Sequence, residues 1–484
     1  MKMLIRSAWV DSADGKTRAI RSSANNELID TVPMATESDL QRAVEAAQAG
    51  KLAMAATPAC ERAAVLFRTA DRMEKRQEEL AVLLARENGK PIRQTREEIK
   101  AAIRIFRGFG EESKRIFGKS MSLDMVPGMA RHFALVIRRP VGVVAAIVPF
   151  NYPVELYAHK AAAALAAGNA VIVKPPSDCP LTILKIAAIL EEEGLTAAAH
   201  QVVTGPGAEA GEYLAQAPGI NLISLTGSTR VGQRISRLAA DTIKKVHLEL
   251  GGSDATIVCR DADLNTAAEA VILGRLARGN GQICCAVKRV FVARAVHDEF
   301  VEILAEKTKK LIVGDPLDER TDVGPLITEN AAKDVEADIK TALAEGARLR
   351  AGGNRRGAFI DPTVLDLVPR EAKILREETF GPVVPVVAFD DLGEALRLAN
   401  DTCYGLQSSL FTNDLATAFN MAYGLEVGGV IINWSSAVRV ENLPFGGVKL
   451  SGHGREGIHD TLLEMTEQKT VIFYDTLNVF HQGD

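Results

Sequence analysis

Apolar residues recur at three- and four-residue intervals in "ESDLQRAVEAAQAGKLAMAA" and "CERAAVLFRTADRMEKRQEELAVLLARENGKPI", which predicts a mostly helical first third. Gly89 and Pro91 supply a stop for the second run. Across 119–139, "KSMSLDMVPGMARHFALVIRRP" has no helical period and reads as extended and irregular. From 140 to 250 the pattern alternates. Strands are predicted at "VGVVAAIVPF", "AVIVKP", "QVVTG", "INLISLTGS" and "KVHLEL". Helices lie between them at "YPVELYAHKAAAALAAG", "LTILKIAAILEEEG", "GAEAGEYLAQ" and "STRVGQRISRLAAD". Strands apolar on both faces with helices between them point to a parallel sheet covered on both sides, hence to an α/β fold.

A second alternating stretch runs from about 253 to 434, with "ATIV", "KRVFVA", "GPVVPVVAF", "LQSSLFT" and "GGVIINW" as strands. The tail "EMTEQKTVIFYDTL" ends in a β-branched, aromatic run suited to an edge strand, which needs a partner. No internal repeat emerges.

Composition narrows the function. The 484 residues suffice for two or three domains, and 47% apolar with 25% charged is an ordinary soluble balance. A net charge of −5 without blocks of like charge argues against nucleic acid or an anionic membrane as partner. The start lacks a signal-peptide core, and no stretch approaches membrane-spanning length. Six cysteines (Cys60, Cys179, Cys259, Cys284, Cys285, Cys403) are spread too thinly for a disulfide framework, and no zinc spacing occurs. A cytoplasmic protein with no metal site is the expectation.

Several residues carry candidate chemistry. The fingerprint G-x-G-x-x-G is absent after the first strand of the alternating region, but "TGPGAEAG" (204–211) and "LTGSTRVG" (225–232) are glycine turns opening helices. Each turn is either a phosphate cradle or tight packing. Lys174 ends a strand, where it can reach a ribose or phosphate or simply be solvated. Glu249, in the apolar "HLELGG", is either a desolvated general base or a turn cap. His247 reads as structural. Asn151 in "PFNYP" can donate to a developing oxyanion or cap a turn. Cys284 and Cys285, in "GNGQICCAVKR", are small buried hydrophobes or, past a glycine turn, a thiolate nucleophile.

The ordered set "PFNYP", "AVIVKPP", "LTGSTRVG", "LELGG", "GQICC", "EETFGPV" and "LPFGGVKLSGHGREG" resembles the aldehyde dehydrogenase superfamily over nearly the whole chain. The closest branch in motif is that of succinate-semialdehyde and lactaldehyde dehydrogenases. The resemblance implies Cys284 as nucleophile, Glu249 as general base, and Asn151 with a backbone N–H as oxyanion hole. Cys285 becomes a neighbour able to quench the nucleophile by reversible oxidation. For a dinucleotide it implies Lys174 at the adenosine ribose, Gly227 and Ser228 at the pyrophosphate, Glu378 at the nicotinamide ribose and Phe380 beside the ring. The backbone of Ile147, Val148, Pro149 and Phe150, with Leu250, lines the same cleft. Lys160 and Glu467 match proton-relay positions.

The implied reaction is NAD(P)-dependent oxidation of an aldehyde to an acid through a thiohemiacetal and a thioester. Ser177 stands where NAD-preferring relatives carry glutamate, so NADP is expected to be accepted or preferred over NAD. Arg439 lies near the implied substrate funnel, as an anion ligand or a surface ion pair, which favours a small polar aldehyde or semialdehyde. A non-phosphorylating glyceraldehyde-3-phosphate dehydrogenase and a catalytically silent relative are the alternatives. Glu249 argues against thioester transfer to CoA.

The implied architecture is a Rossmann-like parallel-sheet cofactor domain (1–118 and 140–250), an α/β catalytic domain (251–434) and a small β oligomerisation arm (119–139 and 466–484). Segment 435–465 returns to line the cleft. A homo-dimer or homo-tetramer follows.

Overall fold

The computed structural model describes residues 1–475, and its backbone is organised by two open sheets. In the first, Val143–Ile147 lies centrally, followed outward by Ala170–Lys174 and His200–Val202 on one side and by Leu222–Thr226 and Lys245–Glu249 on the other, all parallel. The direction of winding therefore reverses between Val143–Ile147 and Leu222–Thr226, the kind of place where open α/β sheets bind ligands. Both faces are covered. Val144, Ala146 and Val173 pack into one apolar cluster, and Val143, Ala145 and Ile172 into another. This two-sided burial is the reason these strands read as continuous apolar runs.

The second sheet centres on Val287–Ala293, with Asp254–Val258, Gln407–Phe411 and Gly429–Ile432 following on one side and Val383–Phe389, Thr363–Asp366 and Arg348–Ala351 on the other. A separate antiparallel sheet joins Lys119–Ser122, Phe133–Pro140 and Thr466–Phe473. The tail strand thus finds its partner within the chain; residues 476–484 of the expected arm lie outside the described residues. The returning segment also adds Gly452–His453 to the first sheet, antiparallel to Lys245–Glu249.

Two expectations are corrected. The first third opens with four strands, Met3–Ile5, Ala8–Val10, Thr17–Arg21 and Leu28–Pro33, where helices were expected to dominate. The long second helical run divides at Arg76 (φ −112°, ψ 18°) into Ala59–Lys75 and Gln77–Asn88.

Local backbone places two site segments. A wide helical turn at Ala158–Ala162 contains Lys160, and another at Ile272–Ala277 precedes Arg278 and the cysteine pair; such turns are common at functional sites. After the second, Gly279, Asn280 and Gly281 all adopt positive φ (59°, 53° and 74°). A Cβ on Gly281 would overlap the Gly381–Pro382 backbone, so only glycine fits. Asn280 pays for its conformation with bonds to Gly89 O (3.1 Å), Pro325 O (2.8 Å) and Gly324 N (2.8 Å).

Candidate active site

Strand register brings Ile147 beside Lys174 and Leu225, and Thr226 beside Glu249, at one edge of the first sheet. A cleft of about 630 Å³ opens over that edge, and every residue of the expected cofactor set lines it. Lys174 is buried, which pushes its ammonium down to about 8, and it donates to Ser177 Oγ at 2.9 Å. Ser177 in turn donates to Gly205 O (2.9 Å). Ser228 caps the helix Thr229–Ala240, accepting from Val231 N, so a helix N-terminus faces the cleft. Glu378 Oε1 accepts from Gly252 N (3.2 Å) and from Lys288 Nζ (2.6 Å). A Cβ on Gly251 would overlap the Glu378 carboxylate, so the glycine makes room for it. Phe380 stands edge-on to Phe150, ring centroids 5.9 Å apart. A mostly apolar cleft lined by an ammonium, a helix N-terminus and a carboxylate fits a dinucleotide.

A second, narrow chamber of about 40 Å³ is lined by Tyr152, Glu155, Arg278, Cys285, Arg439 and Phe445, among others. Cys284 and Asn151 are the two residues that line both cavities. Glu249, in the larger cleft, is fully buried, and neither carboxylate oxygen has a conventional hydrogen-bond partner. Burial, helped by the charge of Glu456, raises it to about 8.

Exposure and charge point to different sulfurs. Cys284 is half-buried and open to both cavities, whereas Cys285 is buried among Ile283, Ala286 and Leu406. The neighbouring Cys285 sulfur, burial and Glu249 all hold the Cys284 thiol well up. Its contact with Cys284, with Arg278, Lys288 and Arg439 behind, draws Cys285 down to about 7. Access decides between them: a nucleophile must meet both ligands, and Cys284 alone of the pair lines both cavities.

The turn carrying Asn151 is held from the helical layer. Lys90 Nζ donates to Asn151 O at 2.8 Å and forms a buried ion pair with Glu98. Glu98 Oε1 accepts from Val154 N (2.9 Å), and Asn88 Nδ2 donates to Phe150 O (2.6 Å).

Two expected residues behave differently. Glu467 does not reach Lys160: it lies on the exposed side of Thr466–Phe473, 3.9 Å from Lys245. Lys160 bonds instead to the buried Glu456 at 2.5 Å. Arg439 does line the chamber, but Glu456 Oε2 (2.9 Å) and Glu155 (3.9 Å) occupy its guanidinium. Arg278 is the chamber's other arginine. It is exposed, donates to Ala437 O (2.9 Å), and among the described residues has no carboxylate in ion-pair range.

The sequence reading missed Glu456, Arg278, Lys288 and the Lys90–Glu98 pair. Glu456 sits inside the motif "GHGREG", and Arg278 stands one position before "GNGQICC". Lys288 and Lys90 stand inside quoted segments too, but nothing local marks them or Glu98 as site residues.

Comparison with known proteins agrees with this geometry. A profile described as "Aldehyde dehydrogenase family" matches residues 9–471. The chain is 44% identical over 441 residues to 3-sulfolactaldehyde dehydrogenase of Priestia aryabhattai, covering 91% of each. It is 39% identical over 458 residues to succinate-semialdehyde dehydrogenase [NADP(+)] of Escherichia coli, covering 94% of each. The structure of aldehyde dehydrogenase 21 from Physcomitrella patens, in complex with the reaction product succinate, superposes with a TM-score of 0.95 at 38% identity, covering 99% of each chain. The chain belongs to the aldehyde dehydrogenase family, and it is an NAD(P)-dependent oxidoreductase acting on an aldehyde. Among the described residues no helix is long and apolar enough to cross a membrane.

Proposed function

We propose that the protein oxidises a short aldehyde bearing an anionic group to the corresponding acid, with Cys284 as nucleophile. The observation that carries this reading is the position of Cys284 and Asn151, shared by the large cleft and the small chamber. Cys284 Sγ bonds to the aldehyde carbon, and its proton leaves through Glu249 to bulk water, so that Glu249 is a free carboxylate again before hydrolysis. The charge gathering on the carbonyl oxygen is held by the Asn151 amide and the Cys284 N–H. When bound, the dinucleotide supplies the acceptor for the hydride that this adduct loses, leaving a thioester on Cys284. Glu249 then takes a proton from water, whose oxygen attacks the thioester carbon. The C–S bond breaks, releasing the acid and restoring Cys284.

Lys174, Ser177, Ser228 and Glu378 would hold the dinucleotide. NADP is the preferred form on this reading, because Lys174 and Ser177 meet at 2.9 Å with no carboxylate at position 177 to repel a 2′-phosphate.

Arg278 supports an anionic substrate. Arg439 is already neutralised by Glu456 and Glu155, whereas Arg278, bonded to Ala437 O, brings the chamber a guanidinium with no carboxylate in ion-pair range among the described residues. The names of the relatives, 3-sulfolactaldehyde and succinate-semialdehyde dehydrogenase, specify aldehydes with an acidic group. A homo-oligomer is supported by exposed apolar side chains on the second sheet's edge and its neighbouring helix, Trp434, Phe419 and Tyr423 among them. Six free thiols fit the reducing cytoplasm.

The test compares kcat/KM for succinic semialdehyde and uncharged butanal in the wild type and in Arg278→Met. The reading expects a strong preference for the acid aldehyde that collapses in the variant through a higher KM. Equal use of both aldehydes by the wild type refutes the substrate class.

A further inference from the structure

Lys288 has no part in the reaction just described, yet its ammonium is one of the most committed groups near the site. Its side chain is 3% exposed. It donates to the carbonyl of Cys284 at 2.5 Å and to Glu378 Oε1 at 2.6 Å, and lies 5.6 Å from the centre of the Phe380 ring. One cation therefore touches the backbone of the nucleophile, the carboxylate at the nicotinamide end of the cleft and the aromatic ring beside it.

We propose that Lys288 is a positioning residue that sets the register between the Cys284 adduct and the nicotinamide end of the dinucleotide; this rests on the reading of the cleft given above. Burying an ammonium is unfavourable unless its donors are satisfied, and here the partners are site residues. With Oε1 taken by Lys288 and Gly252 N, Glu378 is left with Oε2 for a ribose hydroxyl. The bond to Cys284 O closes a five-residue loop that begins at the nucleophile and ends at Lys288. Movement of Glu378 is thereby passed to Cys284, and the reverse. Asp254, buried nearby with both oxygens unpartnered, has its carboxyl raised by burial and partly lowered again by Lys288. It therefore competes little for the ammonium.

The experiment uses the full-length enzyme with Lys288→Gln, which keeps a hydrogen-bonding group, and Lys288→Met, which does not. Affinities for NADPH and for 2′,5′-ADP, which lacks the nicotinamide half, are measured by fluorescence titration and calorimetry. The kinetic isotope effect on an aldehyde deuterated at C1 is measured alongside. The expected result is NADPH binding weakened about 10-fold in both variants, with 2′,5′-ADP binding unchanged. kcat falls roughly 10- to 100-fold, and the isotope effect rises as hydride transfer becomes limiting. Equal weakening of both ligands, or an unchanged isotope effect, overturns the positioning role. Failure of the wild type to bind either ligand overturns the cofactor reading beneath it as well.

Discussion

Lys160 and Glu456 lie 296 positions apart in the chain and 2.5 Å apart in the structure. Glu456 uses its other oxygen on Arg439, so one buried carboxylate balances the buried Lys160 and the half-buried Arg439 of the chamber wall. Burial works against its charge, but Lys160 and Arg439 outweigh it and hold the carboxyl well below the ordinary range. A depressed value means that this stability is present at neutral pH and is lost on acidification.

Glu456→Gln leaves Lys160 and Arg439 without their main counter-charge. The loss should be roughly 3–5 kcal/mol, read as a lower Tm at neutral pH. The deficit should shrink as the pH falls below the carboxylate range. A Tm equal to the wild type's at neutral pH would contradict the pairing.

Glu249 predicts the opposite pH behaviour. Its value rises from 4.5 to about 8 on folding, so the folded state is favoured below about 4.5 and loses that advantage as the pH climbs to about 8. Glu249→Gln cannot ionise. Its Tm relative to the wild type should therefore increase from acid pH to pH ~8, while thioester hydrolysis is lost. In the wild type, hydrolysis should speed up as the pH rises through about 8. A Tm difference independent of pH would refute the buried carboxyl.

Ser177→Glu sets a carboxylate against Lys174. The ratio of kcat/KM for NADP over NAD should fall by about 10-fold or more, with the aldehyde KM little changed. An unchanged ratio removes Ser177 from cofactor selection.

Asn151→Ala should lower kcat/KM by roughly 100- to 1,000-fold, the usual loss of one oxyanion donor. Alkylation of Cys284 by iodoacetamide should continue at the wild-type rate, because that reaction builds no oxyanion. Lys90→Met should give a smaller loss in the same direction, since Lys90 bonds to Asn151 O and the turn would loosen.

The strands of both sheets were legible because burial on two faces leaves continuous apolar runs. Met3–Ile5 and Ala8–Val10 are too short to show any period, and Thr17–Arg21 mixes charge with apolar residues, so the N-terminal strands escaped notice. The division at Arg76 is silent because apolar spacing continues across it. At the site, Cys284, Glu249 and Asn151 were readable from local motifs. The ion pairs were not: Lys288 reaches Glu378 across 90 positions, and local spacing carries no record of such a contact. Glu456 is hidden for the same reason, since which acid faces Lys160 depends on how the returning segment crosses the first sheet.

The most direct test of the account is peptide mass spectrometry of Glu249→Gln after incubation with NADP+ and succinic semialdehyde. The account predicts a stoichiometric thioester on Cys284, accompanied by a single burst of NADPH that does not turn over. An adduct on Cys285, or a burst that leaves no adduct on Cys284, would contradict it.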